Sequence, residues 1–148
     1  MNRGGRLGRA PHEDNMQTKY VLELAEAIAV LEAAKAEASL NHWAVSIAVV
    51  DDAGQLILFQ RMPGAPGMSI ELAIGKAKTS TAGSRPTKAF EDMVNDGRLS
   101  FTTARELVCV EGGVPLVYQG QLVGAIGVSG VRSFQDAAIA LVGAQALA

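Results

Sequence analysis

Arg61, Lys76 and Thr79 are the residues whose types and spacing best suit the capture of a small anionic molecule. A strand is expected to end at Arg61 and to deliver its guanidinium into Met62-Pro63-Gly64-Ala65-Pro66-Gly67. Two prolines and two glycines in those six positions exclude regular structure. On the helix expected next, Lys76 and Thr79 lie three residues apart and so near each other on adjacent faces. Two cations and a hydroxyl around accessible backbone could hold a carboxylate. In an enzyme, Arg61 would anchor that carboxylate and Lys76 would act as acid or base. The alternative is that Arg61 and Lys76 simply pair with acidic groups of a neighbouring element or subunit. The residues alone leave both open.

A second feature is Glu111-Gly112-Gly113-Val114-Pro115-Leu116, followed by Gly124-Ala125-Ile126-Gly127-Val128-Ser129-Gly130. Glycine forfeits packing surface and costs chain entropy inside a strand. Such a density implies backbone passing close to another backbone, a subunit or a ligand. Gly112, Gly113, Val114, Pro115 and Ser129 therefore join Arg61, Met62, Gly64, Ala65, Lys76 and Thr79 as candidate ligand-binding residues.

Other chemistry is poorly supported. Gly127-Val128-Ser129-Gly130 is out of register with a nucleophile elbow and has no matching His and Asp. Cys109 sits in an apolar run that disfavours thiolate. Asp51-Asp52 and Glu91-Asp92 are adjacent carboxylates explained by turn and helix-start chemistry. His12 and His42, with one cysteine, form no metal-ligand spacing.

These residues need elements to position them. Val21, Leu24, Ala25, Ile28 and Leu31 recur at helical spacing, with Thr18 as N-cap and an end near Asn41-His42. Ala44–Val50 reads as a buried strand. Asp51–Gly54 is a tight turn with Gly54 at positive φ, and Gln55–Arg61 is the returning strand. Ser69 caps a helix through about Ala82, Ser84-Arg85-Pro86 breaks it, and Thr87 caps a shorter helix ending near Gly97. Strands fit 107–110, 114–118 and 121–128. A last helix starts at Ser133, with Asp136 completing a capping-box-like pair. Short turns imply antiparallel pairing and an α+β layer fold. Residues 1–15, rich in Gly and Arg, read as a flexible tail before a single domain over 16–148, with Met16 as the alternative to Met1 for the native start.

At 148 residues with 49% hydrophobic content, the chain can bury a core without disulfides. A net charge of −2 argues against nucleic-acid binding. One cysteine, no secretory h-region and no apolar run of about 20 residues make a soluble cytoplasmic protein the expectation, with no membrane partner.

Several motifs together resemble one family. They are Ala48-Val49-Val50-Asp51 with Gly54, Arg61-Met62 with Gly64-Ala65, Gly75-Lys76-Ala77, Gly112-Gly113-Val114-Pro115, and Gly124–Gly130 with Asp136. In this order they are similar to the GlcG/HbpS-like, or haem-degrading domain, family, which includes the C-terminal domain of PduO-type corrinoid adenosyltransferases. The resemblance covers roughly Thr18 to Ala148. It implies a profilin-like domain with a five-stranded antiparallel sheet, homo-oligomers, and a small-molecule ligand such as haem or another tetrapyrrole. Some members lie among genes for glycolate or aromatic-compound breakdown. The rival function is a tautomerase, isomerase or lyase acting on a small carboxylated metabolite, and the alanine-rich helices and glycine-rich strands give a third reading, a structural or regulatory subunit. Pro63 stands where aspartate is common in similar sequences, and neither histidine here matches a haem-ligating one.

Overall fold

The computed structural model describes residues 15–147. The tail expected over residues 1–15 therefore falls almost wholly outside the described residues, as does His12. Among the described residues four α-helices and four strands follow in the order α1 (Leu24–Leu40), β1 (Ser46–Asp51), β2 (Leu56–Arg61), α2 (Ser69–Gly83), α3 (Lys88–Asn95), β3 (Gly113–Tyr118), β4 (Gln121–Ser129) and α4 (Ser133–Gln145). A short 3-10 helix at Leu99–Thr103 follows α3. The α+β class holds.

Among the described residues the sheet has four strands, not five, in the order β2-β1-β4-β3 with every neighbour antiparallel. Residues 107–110, expected as a strand, run without a ladder partner. Two contacts with α2 explain this. The Val108 amide donates to Thr79 Oγ1 at 2.8 Å, and the Val108 side chain fills the notch left by Gly75. This stretch is thus held by the helix instead of by a strand.

Each sheet face has its own apolar layer. On one, α1 and α4 cover Val45, Ile47, Val49, Ile126 and Val128. On the other, α2 lays Ala73 and Ala77 on Ala48, Val50 and Ala125. Side chains this small bring α2 close to the strands, and Gly127 brings it closer still. A Cβ at Gly127 would stand 2.6 Å from the Ala77 amide nitrogen and collide with the Ala73 carbonyl oxygen. The close approach expected of the glycine-rich strands is therefore backbone against backbone.

Turn chemistry follows expectation at the first hairpin. Asp51 Oδ1 accepts the amides of Ala53 and Gln55, each at 2.9 Å, and Gly54 has φ 78. Helix starts differ more. Thr18 caps nothing, because the chain is irregular up to α1, whose N-cap is Glu23. Ser69 is the first residue of α2 rather than its cap, and its hydroxyl bonds Ser46 Oγ at 2.8 Å. Thr87 precedes α3 but turns its hydroxyl to the Gly113 amide at 2.9 Å. At α4, the Arg132 amide donates to Gln135 Oε1 at 3.2 Å, in place of a Ser133–Asp136 box.

The inward face of α1 is Ala27, Val30, Leu31, Ala34 and Ala38. Of the residues expected there, only Leu31 is buried. Val21, Leu24 and Ile28 are 65%, 54% and 44% exposed, so apolar residues occupy both sides of this helix.

Replacing Gly127 by Ala forces α2 off the sheet. The expected cost is about 3 kcal/mol or more, at the upper end for overpacking a core. Gly67, with nothing within 4 Å of an added Cβ, is the control, and Gly67→Ala should change stability by no more than about 0.5 kcal/mol. Urea midpoints measure both. Equal midpoints for the two variants would contradict the close packing.

Candidate functional site

Lys76 projects from α2 at the end of the sheet where β4 leaves and β3 begins. Long helical side chains lean toward the helix N-terminus, which aims this one along the sheet to its edge. There Nζ donates to the Val128 carbonyl oxygen at 2.9 Å and to Asp136 Oδ2 at 3.0 Å. The Val128 amide, on the same side of the strand, donates to the Gly112 carbonyl at 2.9 Å. The Gly112 amide does not return a bond to the Val128 oxygen, and the ammonium takes that place. Gly112 has φ 132, a backbone region that favours glycine. A Cβ there would also come within 2.8 Å of Lys76 Nζ.

Asp136, in the first turn of α4, completes the arrangement from the opposite face. Its Oδ1 accepts the Val131 amide at 3.1 Å while Oδ2 holds Lys76. Both side chains are 2% exposed. Burial pushes the Asp136 carboxyl above its ordinary range, and the Lys76 charge and the amides of Val131 and Gly130 oppose that push. The two other ion pairs among the described residues, Lys19–Asp52 and Lys88–Asp92, lie at the surface and contribute little to stability.

The remaining candidates divide into those this sheet end gathers and those it does not. Arg61 is exposed at the end of β2, opposite Ser46, and has no ion pair among the described residues. Met62 is half-buried, and its amide donates to Val45 oxygen at 2.9 Å. Gly64 lies beside Ala44, and Ala65 is buried. Ser129 is buried opposite Ser46 on the α2 side of the sheet. These five share one end of the sheet with Lys76 and Gly112. Thr79 is buried and committed to Val108. Gly113 is bound to Thr87 through both backbone groups. Val114 and Pro115 are half-buried along β3, opposite Ile126 and Ala125.

What this end can do follows from exposure. Arg61 can meet a carboxylate from solution. Lys76, 1% exposed, meets no solute in this conformation, so a direct acid–base role has no geometric support. Sequence reasoning did not find the Lys76–Asp136 pair, because its members are 60 residues apart and Asp136 also has the features of a helix-start residue.

Two solvent-open cavities lie away from this end. A groove of about 950 Å³ beside the first hairpin turn is lined by Leu56, Glu71, Ile74, Lys78, Glu106 and Leu107, among others. A cleft of about 390 Å³ is lined by Tyr20, Val21, Glu26, Tyr118, Val123 and Leu147, among others. Among the described residues no group of three His, Cys, Asp or Glu side chains is placed to hold a metal ion. His42 is exposed at the end of α1. Cys109 is half-buried, and burial pushes its thiol pKa up. No helix among the described residues is long and apolar enough to cross a membrane.

Comparison with known proteins matches this architecture. Protein GlcG of Escherichia coli strain K12 is 46% identical over 114 residues, which cover 77% of this chain and 85% of GlcG. The crystal structure of a PduOC:haem complex is 30% identical with a TM-score of 0.79, covering 86% of this chain and 95% of that one. The crystal structure of HbpS is 28% identical with a TM-score of 0.83, covering 91% and 96%. The model of the family described as haem-degrading protein HbpS-like matches residues 22–145. The chain belongs to that HbpS-like family.

Proposed function

We propose that this chain is a small-ligand-binding protein that works as a homo-oligomer in the cytoplasm, and that its ligand is haem or another tetrapyrrole. The domain runs from Met16 onward and is of the profilin-like kind. The observation that carries the reading is the 30% identical relative crystallised as a haem complex, which this chain matches along 95% of its length.

The chemistry of the sheet end agrees with such a ligand. A tetrapyrrole joins an apolar ring to carboxylate arms. Arg61 is an exposed guanidinium without an ion pair among the described residues, next to half-buried Met62 and buried Ala65. In this reading Arg61 holds a carboxylate, Met62 and Ala65 support the ring, and Gly112 and Ser129 bound the seat on the β4 side. Haem would supply an iron centre, and no iron ligand is assigned to it. For oligomerisation the support is the apolar outer surface of α1 and α4. Leu24, Ile28, Phe134 and Leu141 are 54%, 44%, 59% and 51% exposed, where a surface helix ordinarily carries polar residues.

Haemin titrated into the purified protein should give a saturable Soret shift, and no shift would remove haem. A hydrogen bond between charged groups contributes about 1.5–3 kcal/mol. Arg61→Ala should therefore weaken haemin by about tenfold or more, with Lys78→Ala unchanged. The reverse pattern would place the ligand in the groove beside the first hairpin. Light scattering should report an oligomer that Leu24→Glu with Ile28→Glu dissociates, and a monomeric wild type would contradict the assembly.

A further inference from the structure

We propose that Lys76 and Asp136 are positioning residues that set the backbone of the ligand site without touching the ligand. The proposal rests on the reading that the ligand seats at the Arg61 end of the sheet. A closed circuit of hydrogen bonds motivates it. Lys76 Nζ grips the Val128 carbonyl at 2.9 Å, Asp136 Oδ1 grips the Val131 amide at 3.1 Å, and Nζ meets Oδ2 at 3.0 Å. Only Ser129 and Gly130 lie between the two gripped residues. The pair thus fixes both ends of the segment that carries Ser129, and Gly112 lies against the same ammonium.

Stability alone does not account for a pair of this kind. Withdrawing two charges from water costs several kcal/mol per ion, and apolar residues of similar volume usually hold a fold as well or better. Each face of this sheet already has an apolar layer. Directionality is what apolar side chains cannot supply. Three hydrogen bonds fix the end of β4, the start of α4 and the third turn of α2 relative to one another. Lys76 comes from one helical layer and Asp136 from the other, so Ser129 and Gly112 keep their places only while both layers are in register.

The test replaces Lys76→Met together with Asp136→Leu, which removes both charges at similar volume. Circular dichroism and urea unfolding report folding, haemin titration reports the site, and hydrogen exchange reports the backbone. The expected result is a folded protein that binds haemin at least tenfold more weakly. Its Val131 and Gly130 amides should exchange at least a hundredfold faster, while Val49 in the strand interior stays protected. A folded double variant with wild-type haemin affinity and unchanged exchange at Val131 and Gly130 would overturn the proposal. Should the double variant fail to fold, Asp136→Glu keeps the charge and displaces the carboxylate by one methylene. Weaker haemin binding with faster Gly130 exchange is then expected, and wild-type values for both overturn the proposal. If wild-type protein binds no haemin, the ligand reading fails by itself. The exchange comparison then decides the positioning role, since it needs no ligand.

Discussion

An ammonium and a carboxylate, sealed from water at one end of the sheet, join side chains from two helical layers that the sheet keeps apart. Lys76 belongs to the helix on one face and Asp136 to a helix on the other, with both side chains 2% exposed. Charges so deeply withdrawn must be paired and hydrogen-bonded. Here Val128 oxygen and the Val131 amide meet that need, so the electrostatic requirement becomes a geometric one. Gly112 is part of the same requirement, since any side chain there would crowd the ammonium.

Close packing of α2 makes this reach possible. Ala73 and Ala77 meet Ala48, Val50 and Ala125, and Gly127 lets the helix backbone settle almost onto the strand. A bulkier interface would lift α2 and with it Lys76, whose side chain must arrive at the sheet edge with its charge fully enclosed. The density of small residues along β4 and the buried ion pair are therefore two aspects of one construction.

Much of this was legible in the sequence. The apolar run Ala44–Val50, the Asp51–Gly54 turn, the loop after Arg61 and the two glycine-bearing strands follow from short-range rules that the tertiary structure does not override. The glycines were readable as places of close approach, and the family resemblance held. The inward face of α1 was not readable, because exposed Leu24 and Ile28 widen the apolar stripe beyond the residues that pack, and contact with the sheet and α4 selects Ala27, Val30 and Ala34. Residues 107–110 have strand composition, yet Gly75 and Thr79, some thirty residues earlier, claim Val108 for α2. At the candidate site, Arg61 stays exposed as its loop suggested. Lys76 proves buried because its partner comes from another layer, which no spacing encodes.

The two cations of the candidate site differ in what they can reach. Arg61 faces solvent at the sheet end and Lys76 faces protein. The side-chain nitrogen of Lys76 offers the most direct test of this account. In a nitrogen-detected NMR spectrum, the Lys76 Nζ protons should give a resolved, slowly exchanging signal with hydrogen-bond couplings to the Asp136 carboxylate carbon and the Val128 carbonyl carbon. A Lys76 signal that exchanges with water as fast as those of exposed lysines, with no such coupling, would contradict it.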